Sequence, residues 1–265
     1  MEKTLVILIG NARGGEETWN TMYKNLLEPY NADLALCFGY TDNKTSSLYQ
    51  KSKYIWELPE YDNWRKYYDE NFKENWDYIF KKQSSDKTGL GGGIDNYDGS
   101  GAIIFAFRDF ILKNKENVLK LYDRIILTRS DFYYVDTHPI LPLGKLYSIE
   151  GEEYGGISDR HFVFDSNMSK DVLGICDFLC DENNFNFLSS LQEFTINPEK
   201  ALLIFFNNNK IIEKIEHFRR VQFTVAVNGD LSRWCQPSGF IPGSNTVRHK
   251  YYSEYEVAMR NLNSK

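Results

Sequence analysis

The first forty residues alternate between strand and helix patterns in a way that restricts the fold. An apolar run at Thr4–Ile9 predicts a buried strand, Glu16–Leu27 carries apolar side chains at helical spacing, and Asp33–Phe38 predicts a second strand. A strand, a crossover helix and a second strand in this order imply a parallel sheet with a right-handed crossover. The sequence therefore predicts an α/β fold, a three-layer sandwich around a central, mostly parallel sheet.

Similar patterns continue along the chain. Further strands are expected at Tyr54–Leu58, Arg124–Thr128, Phe162–Phe164, Lys210–Ile215 and Val221–Val227. Helices are expected at Glu60–Lys82, Ala102–Lys113 with a continuation to Tyr122, Lys170–Cys180, Leu188–Glu193, Pro198–Asn207 and Tyr252–Asn261. With 265 residues and no internal repeat, the chain is expected to form one domain.

Bulk properties exclude some classes of function. A net charge of −6 argues against a nucleic-acid partner, which requires a basic face. No apolar stretch is long enough for a transmembrane segment, and the short run Leu5–Gly10 lacks a cleavage site, so it reads as a strand rather than a signal peptide. The four cysteines have no metal-site spacing and suggest a reduced, cytoplasmic protein.

The loop after the first strand is a candidate nucleotide contact. Its sequence, GNARGG, falls short of the G-x-G-x-x-G pattern, which gives a nicotinamide cofactor little support. Gly10, Asn11 and Arg13 still suit a diphosphate, because backbone N–H groups and a guanidinium both bind phosphate oxygens. The alternative is a tight turn with a solvated arginine.

A glycine-rich segment, residues 84–102, is too long for an ordinary connection. It is either a mobile loop or a functional one, and it leads directly into the helix expected at Ala102. Ser100 is placed to cap that helix. Asp98 and Ser100 are therefore predicted to contact the donor sugar from a loop that closes on binding.

Polar residues follow the strand Arg124–Thr128 where a core strand would continue apolar. Asp131 is suited to bind a divalent cation that bridges nucleotide phosphates, since Mg²⁺ and Mn²⁺ prefer carboxylate and phosphate oxygens. Arg129 would neutralise a diphosphate through its paired donors. The alternative is a surface salt bridge between Asp131 and either Arg124 or Arg129.

A second polar cluster precedes the strand Phe162–Phe164. Asp159 follows a Tyr-Gly-Gly turn and is suited to act as a general base on an acceptor hydroxyl. Of the loop glutamates, Glu152 alone is a candidate sugar contact. His161 is a candidate metal ligand or phosphate donor, with a satisfied histidine on a strand as the alternative.

These two clusters resemble a known family. The segments TRSDFYY and EGEEYGGISDRHFVF, joined through a His-Pro loop, are similar to glycosyltransferase-like proteins of large viruses, algae and microbes. They also resemble, more distantly, capsule and lipopolysaccharide glycosyltransferases of the GT-A fold. The resemblance aligns Arg129-Ser130-Asp131 with the Asp-x-Asp metal motif, of which only the second aspartate is present. It also aligns Gly155–Asp159 with the glycine-glycine-acid segment before the base of inverting enzymes.

The resemblance implies a single GT-A-like domain, with residues 1–121 as the nucleotide-binding half and residues 122–265 as the metal and acceptor half with a C-terminal extension. It implies a glycosyltransferase that moves a sugar from a nucleoside-diphosphate sugar to a glycan hydroxyl, with Mn²⁺ or Mg²⁺ as cofactor. Arg219, Arg220 and His249 are reserve candidates for phosphate or metal contact. Two alternatives remain open: another transferase, such as a nucleotidyl- or sulfotransferase, and a non-catalytic nucleotide- or glycan-binding protein that retains the fold.

Overall fold

A computed structural model of the chain describes residues 2–83, 89–191, 196–230 and 236–264. Its strands are β1 (Thr4–Gly10), β2 (Asp33–Gly39), β3 (Tyr54–Leu58), β4 (Arg124–Thr128), β5 (Phe132–Tyr134), β6 (Leu146–Ile149), β7 (Phe162–Asp165), β8 (Ile215–Phe218), β9 (Gln222–Ala226) and β10 (Arg248–His249). Its α-helices are α1 (Gly15–Met22), α2 (Glu28–Tyr30), α3 (Ser47–Lys51), α4 (Arg65–Asn71), α5 (Tyr78–Gln83), α6 (Gly101–Leu119), α7 (Ser169–Leu173), α8 (Ile175–Cys180), α9 (Phe185–Ser190), α10 (Pro198–Asn208) and α11 (Tyr252–Asn263).

Seven strands form the central sheet in the order β3-β2-β1-β4-β7-β6-β8. Strands β1 to β4 run parallel to one another, β7 is antiparallel to both β4 and β6, and β8 is parallel to β6. Alternate residues of β1 enter two different cores: Leu5 and Ile7 pack with α6 residues on one face, whereas Val6 and Leu8 pack with α1 residues on the other. The sheet is therefore covered on both faces, and the prediction of a mostly parallel central sheet flanked by helices is confirmed.

A small antiparallel sheet, β10-β9-β5, lies next to the carboxyl end of β4. Its first strand begins at Phe132, directly after Asp131, and Val225 N donates to Asp131 O at 2.9 Å. Helix α11 contributes Ala258 to the apolar cluster behind this sheet. The C-terminal part of the chain is thereby brought to the end of β4.

Helix α1 continues through a π-helical turn, Tyr23–Leu27, into α2. The cause is Pro29, which has no N–H to donate to the Asn25 carbonyl four residues earlier. That carbonyl instead accepts a hydrogen bond from His138 N at 2.8 Å. The π-turn thus ties the first helix to the His-Pro loop.

Two predicted elements are wrong. The helix expected at Glu60–Lys82 is two helices, because the chain is extended at Phe72 and Asn75 is left-handed with φ 68°. The strand expected at Lys210–Ile215 is a 3₁₀ turn, Ile212–Lys214, and β8 begins only at Ile215.

Smaller differences concern boundaries. The helix expected at Lys170–Cys180 is divided at Gly174 into α7 and α8. Helix α9 starts before the expected Leu188, and the expected end, Glu193, lies outside the described residues. No helix within the described ranges combines the length and the apolar character that crossing a membrane requires.

Candidate functional site

The loop after β1 and the segment after β4 meet at the carboxyl edge of the sheet. Leu8 of β1 pairs with Thr128 of β4, so the two parallel strands end side by side. Ser130 then joins them: its hydroxyl donates to Asn11 O at 2.7 Å and accepts from Arg13 N at 3.0 Å. The structure therefore brings together two segments that are about 120 residues apart in the sequence and that contain Asn11, Arg13 and Asp131.

Glycine allows the β1 loop to approach Asp131. At Gly14, φ is 87° and an added Cβ would lie 3.2 Å from the Asp131 Cα. Gly10 has φ 103° and open space where a Cβ would be. The loop is fixed from its far side by Asp230, which the sequence did not single out: its Oδ2 accepts from Gly14 N and from Val227 N, both at 3.0 Å.

Asp131 is buried and paired with two cations. Arg129 donates to both carboxylate oxygens, from Nε to Oδ1 at 2.8 Å and from Nη2 to Oδ2 at 2.7 Å. Lys250 Nζ lies 3.7 Å from Oδ2. Burial alone would raise the pKa of Asp131, but the charges of Arg129 and Lys250 outweigh it and hold that pKa well below its usual range. The carboxyl group is therefore ionised, and its pair with Arg129 is a buried one rather than a surface salt bridge.

Lys250 is a site residue that sequence reasoning missed. Its side chain is 8% exposed, and burial lowers its pKa while the charge of Asp131 opposes that shift. It enters the site because Lys250 N donates to Thr224 O at 3.0 Å, which aligns the chain after β10 with β9. Nothing local in the sequence marks it, since its position depends on the pairing of β9 and β10.

Asp159 is close enough to Arg129 for its charge to act on that guanidinium. It is 6% exposed, and its backbone carbonyl accepts from Arg108 Nη2 at 2.8 Å. The neighbouring Arg160 pairs with Glu254 and lies 4.7 Å from the centre of the Tyr251 ring. Burial would lower the pKa of Arg129, and the Asp131 charge raises it, with smaller influences from Arg160 and Asp159. The predicted base is therefore within electrostatic reach of the predicted diphosphate cation.

A second carboxylate, Glu199, adjoins Asp159 and was also missed. Helix α10 begins at the Asn197 cap, whose side chain accepts from Lys200 N at 2.8 Å and donates to Tyr154 O at 3.0 Å. Gly156 packs directly on this helix start, where an added Cβ would lie 2.1 Å from Glu199 O. Burial, and then the charge of Asp159, raise the pKa of Glu199 to about 8. The sequence predicted a helix at Pro198–Asn207, but not which loop its start contacts.

Replacing Glu199 by Gln is expected to remove a pH-dependent loss of stability. Glutamate ordinarily ionises near pH 4.5 and Glu199 near pH 8, so between these values the folded state holds a proton that the unfolded state has released. The wild-type free energy of unfolding therefore falls as the pH rises from about 4.5 to about 8, and the variant lacks this part of the fall. Urea unfolding across this range measures both slopes, with the exposed Glu213→Gln as control. Equal slopes in wild type and E199Q would contradict the assignment.

His161 directly precedes β7 and is fully buried, with a polar atom beside each ring nitrogen. Its Nε2 lies 3.2 Å from His138 Nε2, and its Nδ1 lies 2.9 Å from Thr128 Oγ1. Burial and the neighbouring His138 hold its pKa well below the usual range, so the ring is neutral. This arrangement matches the alternative of a satisfied histidine, since each ring nitrogen already lies beside a polar atom.

The described part of the glycine-rich segment is packed closely onto neighbouring backbone. A Cβ added to Gly92 would lie 2.5 Å from the carbonyl carbon of Gly99. A Cβ added to Gly101 would lie 2.8 Å from the carbonyl oxygen of Gly89. Asp98 is exposed, and Ser100 precedes α6 without a side-chain capping bond. Residues 89–101 therefore do not resemble the predicted closing loop, while residues 84–88 lie outside the described residues.

The reserve candidates have structural partners. Arg219 pairs with Asp136 at 3.3 Å, and Arg220 is buried and donates to the carbonyl oxygens of the Glu150-Gly151 turn. His249 is buried against Tyr255 with its Nδ1 2.9 Å from Gly239 O. These side chains support the small sheet rather than the edge of β1 and β4.

The residues of this site do not fit a divalent cation. Both oxygens of Asp131 are already bonded to Arg129. Across residues 2–83, 89–191, 196–230 and 236–264, no group of three or more His, Cys, Asp or Glu side chains converges to hold a metal ion. Metal binding through Asp131 and His161 therefore has no structural support.

The function of this protein has to be inferred from the geometry of its site, because no family model and no curated protein matches this chain.

Proposed function

We propose that the protein is a glycosyltransferase that moves a sugar from a nucleoside-diphosphate sugar to a glycan hydroxyl. The observation that carries the proposal is the junction made by Ser130, whose hydroxyl accepts from the backbone N–H of Arg13 and so joins the β1 loop to the segment that contains Arg129, at the carboxyl edge of two parallel strands. Open α/β sheets bind their ligands in the crevice beyond this edge. Arginines on both of the joined segments suit a diphosphate, because a guanidinium offers paired donors to phosphate oxygens.

The proposed reaction separates two tasks between the two polar clusters. The bond between the anomeric carbon and the diphosphate oxygen breaks, and Arg13, Arg129 and Lys250 stabilise the negative charge that develops on the leaving group. The acceptor oxygen bonds to the anomeric carbon, and its proton passes to the Asp159 carboxylate. Glu199 stays protonated near neutral pH and limits the negative charge beside the base.

The resemblance to GT-A enzymes supports the same reaction class. The described sheet, with parallel β1 to β4 and an antiparallel β7, is compatible with a Rossmann-like sandwich of that kind. Since the residues present do not fit the metal that the resemblance implies, no step of the proposed reaction passes through a metal ion.

A second function is favoured by one observation. The only carboxylate in the Asp-x-Asp position is bound on both oxygens by Arg129. A protein that had lost catalysis and kept nucleotide or glycan binding would show such an arrangement. The two functions differ in whether a bound donor is consumed.

The experiment that separates them supplies UDP-, GDP- and TDP-sugars to the wild type and to Asp159→Asn. We expect hydrolysis or transfer from at least one donor by the wild type, and a loss of about 100-fold or more in the variant, because removing a general base costs about 10²–10⁴-fold. Nucleotide-induced thermal stabilisation should be retained in the variant. The exposed Asp62→Asn is the matched control. Stabilisation by nucleotide without turnover of any donor would favour the binding protein.

A further inference from the structure

Positive charges outnumber negative ones at the end of β1 and β4. Asp131 is shared by Arg129 and Lys250, and the charge of Arg13 is close enough to lower the pKa of both Asp131 and Lys250. The Arg13 guanidinium has no ion pair or hydrogen bond with any of the described residues. This cluster of Arg13, Arg129, Asp131 and Lys250, the strand-end cluster, therefore combines three cationic side chains with one carboxylate.

The neighbouring acids do not cancel this surplus. Glu254 neutralises Arg160 and lies near Arg220 at 3.4 Å. Asp159 is accompanied by Arg108, a fully buried side chain whose Nε and Nη1 have no partner among the described residues. Glu254 and Asp159 thus each have an arginine beside them, and Asp230 next to Gly14 accepts from two backbone N–H groups. The three cations Arg13, Arg129 and Lys250 therefore still outnumber the carboxylates Asp131 and Asp230 at this edge.

The geometry of Arg129 shows what Asp131 does. A guanidinium that donates from Nε and Nη2 to both oxygens of one carboxylate is held in a fixed plane. The Lys250 ammonium lies 3.7 Å from Oδ2 of the same carboxylate. Asp131 is therefore placed as a counter-ion that orients two cations, and its oxygens do not point to an open coordination site.

We infer that Arg13, Arg129 and Lys250 bind the diphosphate directly without a divalent cation, and that Asp131 positions two of these cations instead of ligating a metal. The inference rests on the proposed function for the identity of the ligand as a nucleotide. The cations take the place that a metal has in the resembled enzymes, because they supply the same charge at the leaving group.

The test is calorimetric binding of inorganic pyrophosphate, and of UDP, to the full chain in EDTA and in Mn²⁺ or Mg²⁺. We expect Kd in EDTA to lie within about twofold of Kd with metal. Lys250→Met and Arg13→Met should each weaken pyrophosphate binding by at least about tenfold in EDTA, since a desolvated charge contact is lost. Lys250→Arg should restore part of the affinity, which shows that the charge matters and not only the fold.

The control is Lys53→Met, an exposed lysine that pairs with Asp33. Pyrophosphate binding that requires Mn²⁺ or Mg²⁺, or that is unchanged in both K250M and R13M, would overturn the inference, as would no pyrophosphate binding under either condition. Metal-free pyrophosphate binding without turnover of any sugar nucleotide would instead support the inference and count against the glycosyltransferase. The two proposals therefore fail on different measurements.

Discussion

Asp131→Asn is expected to lower the free energy of unfolding by about 3–5 kcal/mol, the typical cost of removing one partner of a buried ion pair. Asparagine keeps the shape of the side chain but leaves the Arg129 guanidinium and the Lys250 ammonium buried without their counter-ion. Arg129 would also lose its bidentate anchor, so we expect donor turnover to fall by about 100-fold or more, as for other lost transition-state donors.

The pH dependence of stability gives this prediction a second readout. The pKa of Asp131 is lowered below its ordinary value of 3.8, so its stabilising contribution is present above that pH and is lost as the pH falls below it. Urea unfolding should therefore give a much larger free energy of unfolding for the wild type than for D131N near pH 7. This difference in free energy should become smaller under acid conditions. Asp62→Asn on the surface should show neither effect. A difference below about 0.5 kcal/mol at pH 7, the range of ordinary surface substitutions, would show that Asp131 is not a buried counter-ion.

Glu254→Gln is expected to have an effect of similar size, about 3–5 kcal/mol, for a different part of the site. Glu254 is fully buried and holds α11 against β9, because its Oε2 accepts from Thr224 N and Thr224 Oγ1, both at 2.7 Å. Its other oxygen pairs with Arg160, and Arg220 lies 3.4 Å away. A neutral glutamine takes from two buried guanidinium groups the carboxylate that acts most strongly on each of them.

Glu256→Gln on the same helix is the control for this substitution, since Glu256 is exposed. We expect E254Q to unfold at lower urea than E256Q and to lose donor turnover, because Arg160 next to Asp159 is no longer fixed. The double variant Glu254→Gln with Arg160→Met should recover part of the lost stability, as one unpaired charge is removed. Unfolding of E254Q at the wild-type midpoint would show that α11 is held by its apolar contacts alone.

The N-terminal half of the sheet was predictable because its strands are continuous apolar runs. Strand β3 occupies Tyr54–Leu58 and β4 occupies Arg124–Thr128 as expected, and β1 and β2 each extend one residue further, to Gly10 and Gly39. Strands β1, β2 and β4 are buried along almost their whole length and need no alternation of polar residues, whereas the edge strand β3 is partly exposed.

The remaining strands depend on distant partners. Strands β5 and β6 have three and four residues, too few for a periodic pattern to appear. The antiparallel direction of β7 follows from its pairing with β4 and β6, and no local property of the sequence indicates that pairing. The same holds for Lys250 and Glu199, which reach the crevice through β10 and α10.

The meeting of the two strand-end segments was predictable, whereas the partners of their side chains were not. Polar residues directly after β4 signalled a ligand edge, and Ser130 does connect that edge to the β1 loop. The environment of His161 was not visible, because the second histidine of its pair, His138, lies 23 residues earlier in a loop. Both histidines are fully buried and lie beside each other, as core residues do.

The most direct measurement is an experimental structure of the protein soaked with UDP or GDP. The proposed function predicts the diphosphate between the β1 loop and the segment Arg129–Asp131, with phosphate oxygens within hydrogen-bond distance of the Arg13 guanidinium and the Lys250 ammonium. A nucleotide bound elsewhere on the chain, or no bound nucleotide at concentrations that saturate known donor sites, would contradict it.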